Sequence, residues 1–489
     1  MKKLILGLDI GTSGCKALLL DNDGRIVSSA IAEYPAYSPK PGWSEQNPVD
    51  WWEGVKTAVV ELGKSVSLDT VAAIGLSGQM HGMVALDEKN EVIRPAILWN
   101  DQRTAEQCEE ITAAAGGLNG LLSYTNNKML TGFTGGKILW MKKNEPENYA
   151  KTKIILNPKD YIRYMLTGDF ATEVSDASGT GFFDVKNRRF SEKLLELLDI
   201  SPSFFAKCFE SCDITGVVSE NAAMQTGLTA GIPVAGGGGD AVISTTGLGL
   251  AKPGRIGITL GTSGVVAMGL ESFKNNPNGA LQISCGNSFG SYHAMGVTLS
   301  AAGSYAWFQN TFGSSFKELD EMAEQIPAGA DGLLFTPYLT GERCPVNDPD
   351  AKGTFTGITS RHGKGHFARA VMEGVAFSLK QVYDLINSPS DEIVLAGGGA
   401  KSALWRQIFA DIFDLPVRTV YGSAEGGAFG AALVAGAAAG IWKDLRETVE
   451  FIKTESETLP IKENTEICTK VYERYCKVYD AMKECYSDL

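Results

Sequence analysis

The sequence predicts an α/β protein with two similar domains, and three observations support this prediction. The 489 residues exceed what one hydrophobic core normally holds. Short apolar segments with strand character alternate with segments whose apolar residues recur at helical spacing, which is typical of partly parallel sheets. A Gly-Thr-Ser-Gly motif occurs at 11–14 and again at 261–264, about half a chain later. We therefore expect one domain over residues 1–250 and another over residues 251–489.

The composition excludes several classes of protein. With 44% hydrophobic and 21% charged residues, the chain has the balance of a folded protein. A formal net charge of −13 argues against nucleic acid or an anionic membrane as partner. Nine cysteines without a Cys-x-x-Cys pair indicate reduced thiols, so we expect a cytoplasmic protein. No apolar run reaches the length needed to span a bilayer, so we expect no membrane span. The sequence leaves the oligomeric state open, a homodimer included.

The first motif joins two predicted strands, Leu4–Ile10 and Ala17–Leu20, into a β-hairpin. Its turn, Gly11–Gly14, would expose backbone N–H groups and the hydroxyls of Thr12 and Ser13, which together suit a phosphate group. Asp9 precedes this turn and could hold a divalent cation through water. The alternative is an ordinary hairpin turn.

The second motif repeats this arrangement with Gly261, Thr262 and Ser263 in the turn, but Leu260 stands where the first copy has Asp9. The repeat favours two domains that each offer a phosphate-binding hairpin to one cleft. Any carboxylate that serves a metal would then come from the first domain.

The remaining elements are predicted in chain order from apolar periodicity and turn residues. Further strands are expected at Val71–Leu76, Met83–Leu86, Ile232–Ala235, Glu392–Leu395 and Val417–Tyr421. Helices are expected at Val49–Lys64, from Thr104 onward, and at Phe133–Asn144, Pro158–Leu166, Ala241–Leu248, Ser300–Phe312, Phe316–Gln325, His366–Ile386, a segment ending at Phe413, Gly426–Gly440 and Glu463–Cys485. The glycines and alanines of Gly426–Gly440 would permit close packing of that helix against a neighbouring backbone.

Asp240 is the first candidate for a catalytic residue. Four glycines, 236–239, precede it after a buried strand, and they leave room for a substrate hydroxyl beside the carboxylate. In α/β proteins, ligands bind at the carboxyl ends of strands. The alternative is that Asp240 caps the following helix.

Two further loops follow predicted strands and carry polar groups. Gln79, Met80 and His81 combine hydrogen-bonding groups with an apolar wall, a mixture that suits a polyol, although a lone histidine often has only a structural role. Asp101 and Arg103 could bind hydroxyls, or they could form a surface ion pair of little energetic value.

Gly397, Gly398 and Gly399 lie between a predicted strand and a helix. Glycines admit the flat face of a nucleoside, and the following helix N-terminus favours anions. The alternative is a tight strand-to-helix turn.

At these residues the sequence resembles the FGGY-type carbohydrate kinases, nearly from end to end. Gly132–Asn144 resembles the first signature of this family, and Gly353–Ile358, with His366-Phe367 and Ala370–Glu373, resembles the second. Three shorter motifs resemble the xylulokinase branch: Ser77–Gly82, Trp99–Arg103 and Gly341–Arg343.

The resemblance implies two ribonuclease H-like domains of the actin-like ATPase fold, with ATP, Mg²⁺ and a sugar meeting in the cleft between them. It implies ATP-dependent phosphorylation of a ketopentose, most simply D-xylulose to D-xylulose 5-phosphate, with Asp240 as general base. Asp9 would serve the Mg²⁺ and phosphate region. The implied sugar-binding residues are Gln79, Met80, His81, Trp99, Asp101, Arg103 and Asp240. The implied ATP-binding residues are Gly11, Thr12, Ser13, Lys16, Gly261, Thr262, Ser263, Gly397, Gly398, Gly399 and Lys401.

One departure from the family pattern bears on the substrate. Many relatives have asparagine directly after the catalytic aspartate, whereas this chain has Ala241. A kinase for another pentulose or polyol, such as ribulose, is therefore an alternative. A non-catalytic sugar sensor would need a basic DNA-binding module and a chaperone would need a peptide-binding domain, and neither is visible. A dehydrogenase has only a partial glycine fingerprint in its favour.

Overall fold

The computed structural model describes residues 3–486, without the side chains of Pro277 and Ala424. Two large sheets form its framework. The first sheet contains, in spatial order, the strands Ile214–Val217, Pro233–Ala235, Val71–Gly78, Leu4–Ile10, Gly14–Leu20 and Ile26–Glu33, and Gly238–Gly239 also pairs with Val71–Gly78. The second sheet contains Gln282–Cys285, Tyr292–Thr298, Gly264–Leu270, Arg255–Leu260, Glu392–Ala396, Val417–Val420 and Thr454–Thr458.

The two sheets share one topology. In each, the first strand of the hairpin pairs in parallel with a later strand, Leu4–Ile10 with Val71–Gly78 and Arg255–Leu260 with Glu392–Ala396. A third parallel strand follows, and an antiparallel strand closes that edge. The α/β class and the internal duplication are thus confirmed. Because the carboxyl ends of parallel strands share one edge, the loops after them are gathered together in each sheet.

Helices cover the faces of both sheets, and further helices lie beside the first sheet. They are Pro48–Gly63, Ala105–Ala114, Leu118–Thr125, Thr134–Asn144, Pro146–Lys151, Pro158–Thr167, Val174–Ser178, Glu192–Leu197, Glu220–Thr226, Asp240–Gly247, Ala302–Phe312, Phe316–Glu324, Lys364–Ile386, Ala403–Phe413, Gly426–Ala438, Lys462–Tyr475 and Val478–Met482. Short two-stranded sheets pair Glu45–Gln46 with Ala96–Ile97, Val84–Leu86 with Ile154–Leu156, Thr172–Glu173 with Cys208–Phe209, Phe183–Asp184 with Arg189–Phe190, and Leu334–Thr336 with Thr354–Thr356.

One prediction of secondary structure is wrong. The predicted helix Glu463–Cys485 is broken after Tyr475, where the chain turns to a second helix, Val478–Met482. Tyr472 and Tyr475, before the break, pack on Phe377, and Tyr479, after it, packs edge-on against Tyr338. In the glycine run before Asp240, Gly238–Gly239 pairs with Ser77–Gly78.

The helix Gly426–Ala438 lies against the first sheet, although it belongs to the second half of the sequence. A Cβ at Gly7 or Gly75 would overlap the backbone of this helix, at Ala428 and Ala431 respectively. A Cβ at Gly430 would overlap the carbonyl of Ile243 in the helix Asp240–Gly247. The predicted close backbone packing is confirmed, and it ties the second half of the chain to the strands that carry Asp9.

Within residues 3–486, no helix is both long and apolar enough to cross a membrane. All nine cysteines are unbridged.

Candidate functional site

Asp9 lies near the carboxyl end of the central strand of the first sheet. The Ser77 hydroxyl, from the adjacent parallel strand, donates a hydrogen bond of 2.7 Å to Asp9 Oδ1. Burial raises the pKa of the Asp9 carboxyl, while Ser77 and Lys16 act in the opposite direction. Lys16 Nζ itself lies 3.1 Å from Glu425 Oε2, so the predicted phosphate-side lysine pairs with a residue from the second half of the chain.

Two hydrogen bonds fix the conformation of the first turn, Gly11–Ser13. The Gly11 N–H donates to the Gly14 carbonyl (3.0 Å), and the Tyr34 hydroxyl donates to the Gly11 carbonyl (2.6 Å). The amide N–H groups of Thr12 and Ser13 find no protein acceptor among the described residues. These two amides remain available to an anion, as the phosphate hypothesis requires.

Gln79 and Trp99, predicted as sugar-binding residues, both contact this turn. The Gln79 side chain is fully buried, accepts from Thr12 Oγ1 (3.2 Å) and donates to Gln46 Oε1 (2.8 Å). The Trp99 indole N–H donates to Thr12 Oγ1 at 3.0 Å, and its ring is half exposed. A buried amide with these partners supports the hairpin.

The second turn, Gly261–Ser263, caps a helix. The N–H groups of Ala301 and Gly303 donate to the Thr262 carbonyl, and that of Ala302 donates to the Gly261 carbonyl, at the start of Ala302–Phe312. Thr262 and Ser263 are exposed. The turn thus presents its hydroxyls outward while its carbonyls are occupied.

A cavity of about 590 Å³ adjoins the second turn. It suits a nucleoside in size and in its mixture of aromatic and polar walls. Five of the predicted ATP-binding residues line it: Gly261, Thr262, Gly398, Gly399 and Lys401. Sequence reasoning missed the aromatic and acidic part of the wall, Tyr305, Phe316, Asp320 and Trp405, because these residues come from three separate helices.

Gly397 bends the chain sharply at this cavity. It has a φ of 90°, and a Cβ there would lie 2.5 Å from the Leu260 carbonyl. Only glycine fits this position without strain, so the glycine run brings the backbone of Gly398 and Gly399 directly to the cavity wall.

Asp240 opens the helix Asp240–Gly247, directly after the paired glycines of the first sheet. The N-cap is Gly239, so the alternative that Asp240 caps the helix is wrong. Its Oδ1 accepts the Ala241 N–H at 2.7 Å. Burial and then the negative charge of Asp9 raise the pKa of the Asp240 carboxyl to about 7, against the backbone amides of Ala241 and Met80. This carboxylate is therefore a base of moderate strength near neutral pH.

Met80 and His81 lie beside Asp240, where two glycines make room for them. A Cβ at Gly239 would lie 2.6 Å from the Met80 side chain, and one at Gly179 would lie 2.6 Å from both Met80 and His81. Ala241 and Val242 line the same cavity as Met80 and His81.

The His81 ring has a defined protonation state. Its Nδ1 lies 2.7 Å from the Gly179 carbonyl, and burial and the Lys137 charge lower the pKa of the imidazole to about 3. The neutral ring therefore carries its proton on Nδ1, and Nε2 is a hydrogen-bond acceptor. Phe133 stacks on the ring at 4.6 Å, and Lys137 Nζ donates to the His81 carbonyl at 2.6 Å. Both supporting residues come from the first family signature, but no local pattern assigned them this role.

Asp101 and Arg103 do not face the cavity, and their ion pair is not on the surface. Asp101 is fully buried, and it accepts from Arg103 Nη2 (2.7 Å) and the Ser44 N–H (2.6 Å). The guanidinium lies 3.5 Å from the Trp43 ring centroid and also pairs with Glu45. The interpretation as a surface ion pair is therefore wrong, because the pair is buried beneath the loop that carries Trp99. A role of Asp101 and Arg103 in sugar binding stays a prediction.

Among the described residues, no group of three or more His, Cys, Asp or Glu side chains could hold a metal ion by itself. A cation here would need ligands from water and from a phosphate in addition to Asp9, which is how Mg²⁺ commonly binds beside nucleotides.

Comparisons with known proteins identify the family of this chain. The sequence profile of the FGGY family of carbohydrate kinases, N-terminal domain, matches residues 4–247, and that of the C-terminal domain matches residues 256–439. A xylulose kinase of Bacillus subtilis (strain 168) is 37% identical over 99% of this chain and 98% of that protein. A gluconokinase of the same organism is 30% identical over 85% of this chain and 84% of that protein. The crystal structure of a kinase from Brucella ovis, described as a xyloylose kinase, superposes with a TM-score of 0.92 at 33% identity over 99% of this chain and 100% of that one.

Proposed function

The chain belongs to the FGGY family of carbohydrate kinases, and from this premise we propose that it transfers the γ-phosphoryl group of ATP to D-xylulose, giving D-xylulose 5-phosphate. One observation carries the proposal for the site. The Asp240 carboxylate lies beside the cavity of Met80 and His81, with a pKa raised to about 7.

In the proposed reaction, Asp240 accepts the proton of the sugar 5-hydroxyl as its oxygen bonds to the γ-phosphorus and the bond from that phosphorus to the β-phosphate bridging oxygen breaks. Phosphoryl transfer depends on positioning and charge neutralisation more than on covalent chemistry. The amides of Thr12 and Ser13 would hold phosphate oxygens from the first domain, and Gly261–Ser263 would do so from the second. The sugar would bind against the first domain and the nucleoside in the 590 Å³ cavity, which the predicted ATP-binding residues line.

The residues around Asp9 fit a magnesium ion bound through water. Asp9 Oδ1 is occupied by Ser77, which orients the carboxylate, and Oδ2 lies at the first turn of the helix Gly426–Ala438. When bound, Mg²⁺ supplies charge neutralisation at the phosphates. This chain contributes one oriented carboxylate to that site.

A coupled assay of ADP release with D-xylulose, D-ribulose, xylitol and glycerol tests the function. We expect D-xylulose to give the highest kcat/KM. Asp240→Asn should lower kcat by about 10²- to 10⁴-fold, the usual contribution of a general base, while calorimetry still detects D-xylulose binding. Near-normal turnover in Asp240→Asn would refute the assignment of the base, and activity on glycerol alone would refute the substrate.

A further inference from the structure

The cavity that Met80 and His81 line is here called the acceptor cavity. One arginine near it has no part in the proposed reaction. Arg343 lies in the loop between the strands Leu334–Thr336 and Thr354–Thr356. The backbone N–H of Arg343 donates to Glu342 Oε1 at 2.7 Å, and the same oxygen accepts the backbone N–H of Leu299 at 2.8 Å. The Cys344 N–H donates to the Val297 carbonyl at 3.2 Å. The backbone of Arg343 is therefore fixed to the second sheet.

The Arg343 guanidinium has no partner in the part of the chain that the structure describes. No hydrogen bond and no ion pair joins it to a protein group there, and burial lowers its pKa. The side chain is only partly buried, so water hydrates the guanidinium of the free protein. Its N–H groups are therefore available to an oxygen of a bound molecule.

Arg343 lies close to the acceptor cavity. It lines a space with Phe133, Gln282 and Met295, and these three residues also line the cavity of His81 and Ala241. Its charge contributes to lowering the pKa of His81. The two spaces therefore adjoin.

His81 and Arg343 need opposite kinds of partner. His81 Nε2 accepts a hydrogen bond, so it suits a hydroxyl donor. A guanidinium only donates, so it needs an oxygen with a free lone pair. A hydroxyl oxygen also accepts such a donor, but it must place its own proton elsewhere, whereas a carbonyl or carboxylate oxygen has no proton to place and can accept two N–H groups. A ketose offers such an oxygen, whereas a polyol offers only hydroxyls.

We propose that Arg343 determines acceptor specificity by donating to a carbonyl or carboxylate oxygen at the end of the substrate remote from the phosphorylated hydroxyl. This inference rests on the proposed kinase function. The carbonyl oxygen is the feature that distinguishes a ketopentose from the corresponding pentitol. Arg343 is, on this proposal, a substrate-binding residue.

Steady-state kinetics with D-xylulose, xylitol and D-gluconate test this role in Arg343→Met, Arg343→Lys and the wild type. Arg343→Met should lower kcat/KM for D-xylulose on the order of 10- to 100-fold, the effect of an unpaired polar contact, and change that for xylitol less than about threefold. Arg343→Lys, which keeps one charged donor, should fall between these values. Arg25→Met, which removes an exposed arginine, is the control, and ATP hydrolysis without sugar should be equal in all variants.

Equal losses for D-xylulose and xylitol, or no loss for either, would overturn the proposal. If Arg343→Met does not fold, the same comparison is made with Arg343→Lys, where an unchanged preference for the ketose would overturn it. A wild-type enzyme that strongly prefers D-gluconate, with that preference lost in Arg343→Met, would refute the ketopentose as substrate and support the contact. Failure of the proposed function is thus distinguishable from failure of this inference.

Discussion

Gly427 lies directly against Asp9: a Cβ at residue 427 would lie 2.5 Å from Asp9 Oδ2. The first turn of the helix Gly426–Ala438 therefore borders the proposed magnesium ligand only because residue 427 is glycine. Since this helix comes from the second half of the chain and packs on the first sheet, it links the position of Asp9 to the packing between the two halves.

Gly427→Ala should displace either the Asp9 carboxylate or the helix. We expect kcat to fall by about tenfold or more, because small displacements of a positioning group are costly in catalysis. Gly426→Ala is the matched control, since a Cβ there meets Ser244 at an ordinary 3.4 Å. Measurement of kcat at saturating MgATP and sugar decides the point, and equal values for the two variants would contradict it.

The pH dependence of kcat/KM should show an acid limb near pH 7. The general base must be deprotonated to accept the hydroxyl proton, and the pKa of Asp240 is raised to about 7. Activity should therefore fall as the pH decreases through 7. A rate that stays constant down to pH 5, with the viscosity dependence showing that chemistry limits turnover, would be inconsistent with this base.

The same raised pKa predicts a gain of stability in Asp240→Asn. The folded state holds the proton more tightly than the unfolded state, whose carboxyl has a pKa near 3.8. Stability is therefore lost as the pH rises from about 4 to 7, and this loss persists above 7. Asp240→Asn cannot ionise, so its advantage should grow between pH 5 and pH 8 to on the order of 1 kcal/mol, reduced by partial solvation. Urea denaturation at both pH values measures it; a constant difference would argue against the raised pKa.

The sequence predicted the framework well where a signal was local or repeated. The two Gly-Thr-Ser-Gly turns indicated duplicated domains, and the strands before them and the small-residue helix lie where expected. The functions of Gln79, Asp101 and Arg103 could not be read in this way, because their partners Thr12, Gln46, Ser44 and Glu45 are distant in sequence. Polar residues after a strand can face a ligand or support the loop that does, and only the three-dimensional contacts distinguish these cases.

Gln79→Leu tests which of these roles Gln79 has. Its amide holds Thr12 and Gln46, so its loss should loosen the first turn and raise the KM for ATP by about tenfold, roughly the loss of one or two buried hydrogen bonds. The KM for D-xylulose should change little. Gln46→Leu removes the same support from the other side and should behave alike. A selective rise in the sugar KM would restore the interpretation of Gln79 as a sugar-binding residue.

Asp101→Asn tests the buried ion pair. The substitution leaves the Arg103 guanidinium, which is almost completely buried, with Glu45 as its remaining carboxylate partner. Removing one member of a buried pair typically costs about 3–5 kcal/mol, because the other charge stays desolvated. We expect a marked decrease in the urea midpoint, whereas the KM for D-xylulose at 20 °C, about the temperature where such proteins are most stable, should be nearly unchanged. Lys142→Met, which breaks the exposed pair with Asp199, should shift the midpoint far less. If instead Asp101→Asn raised the sugar KM without loss of stability, Asp101 would be a ligand of the sugar and the structural role would be wrong.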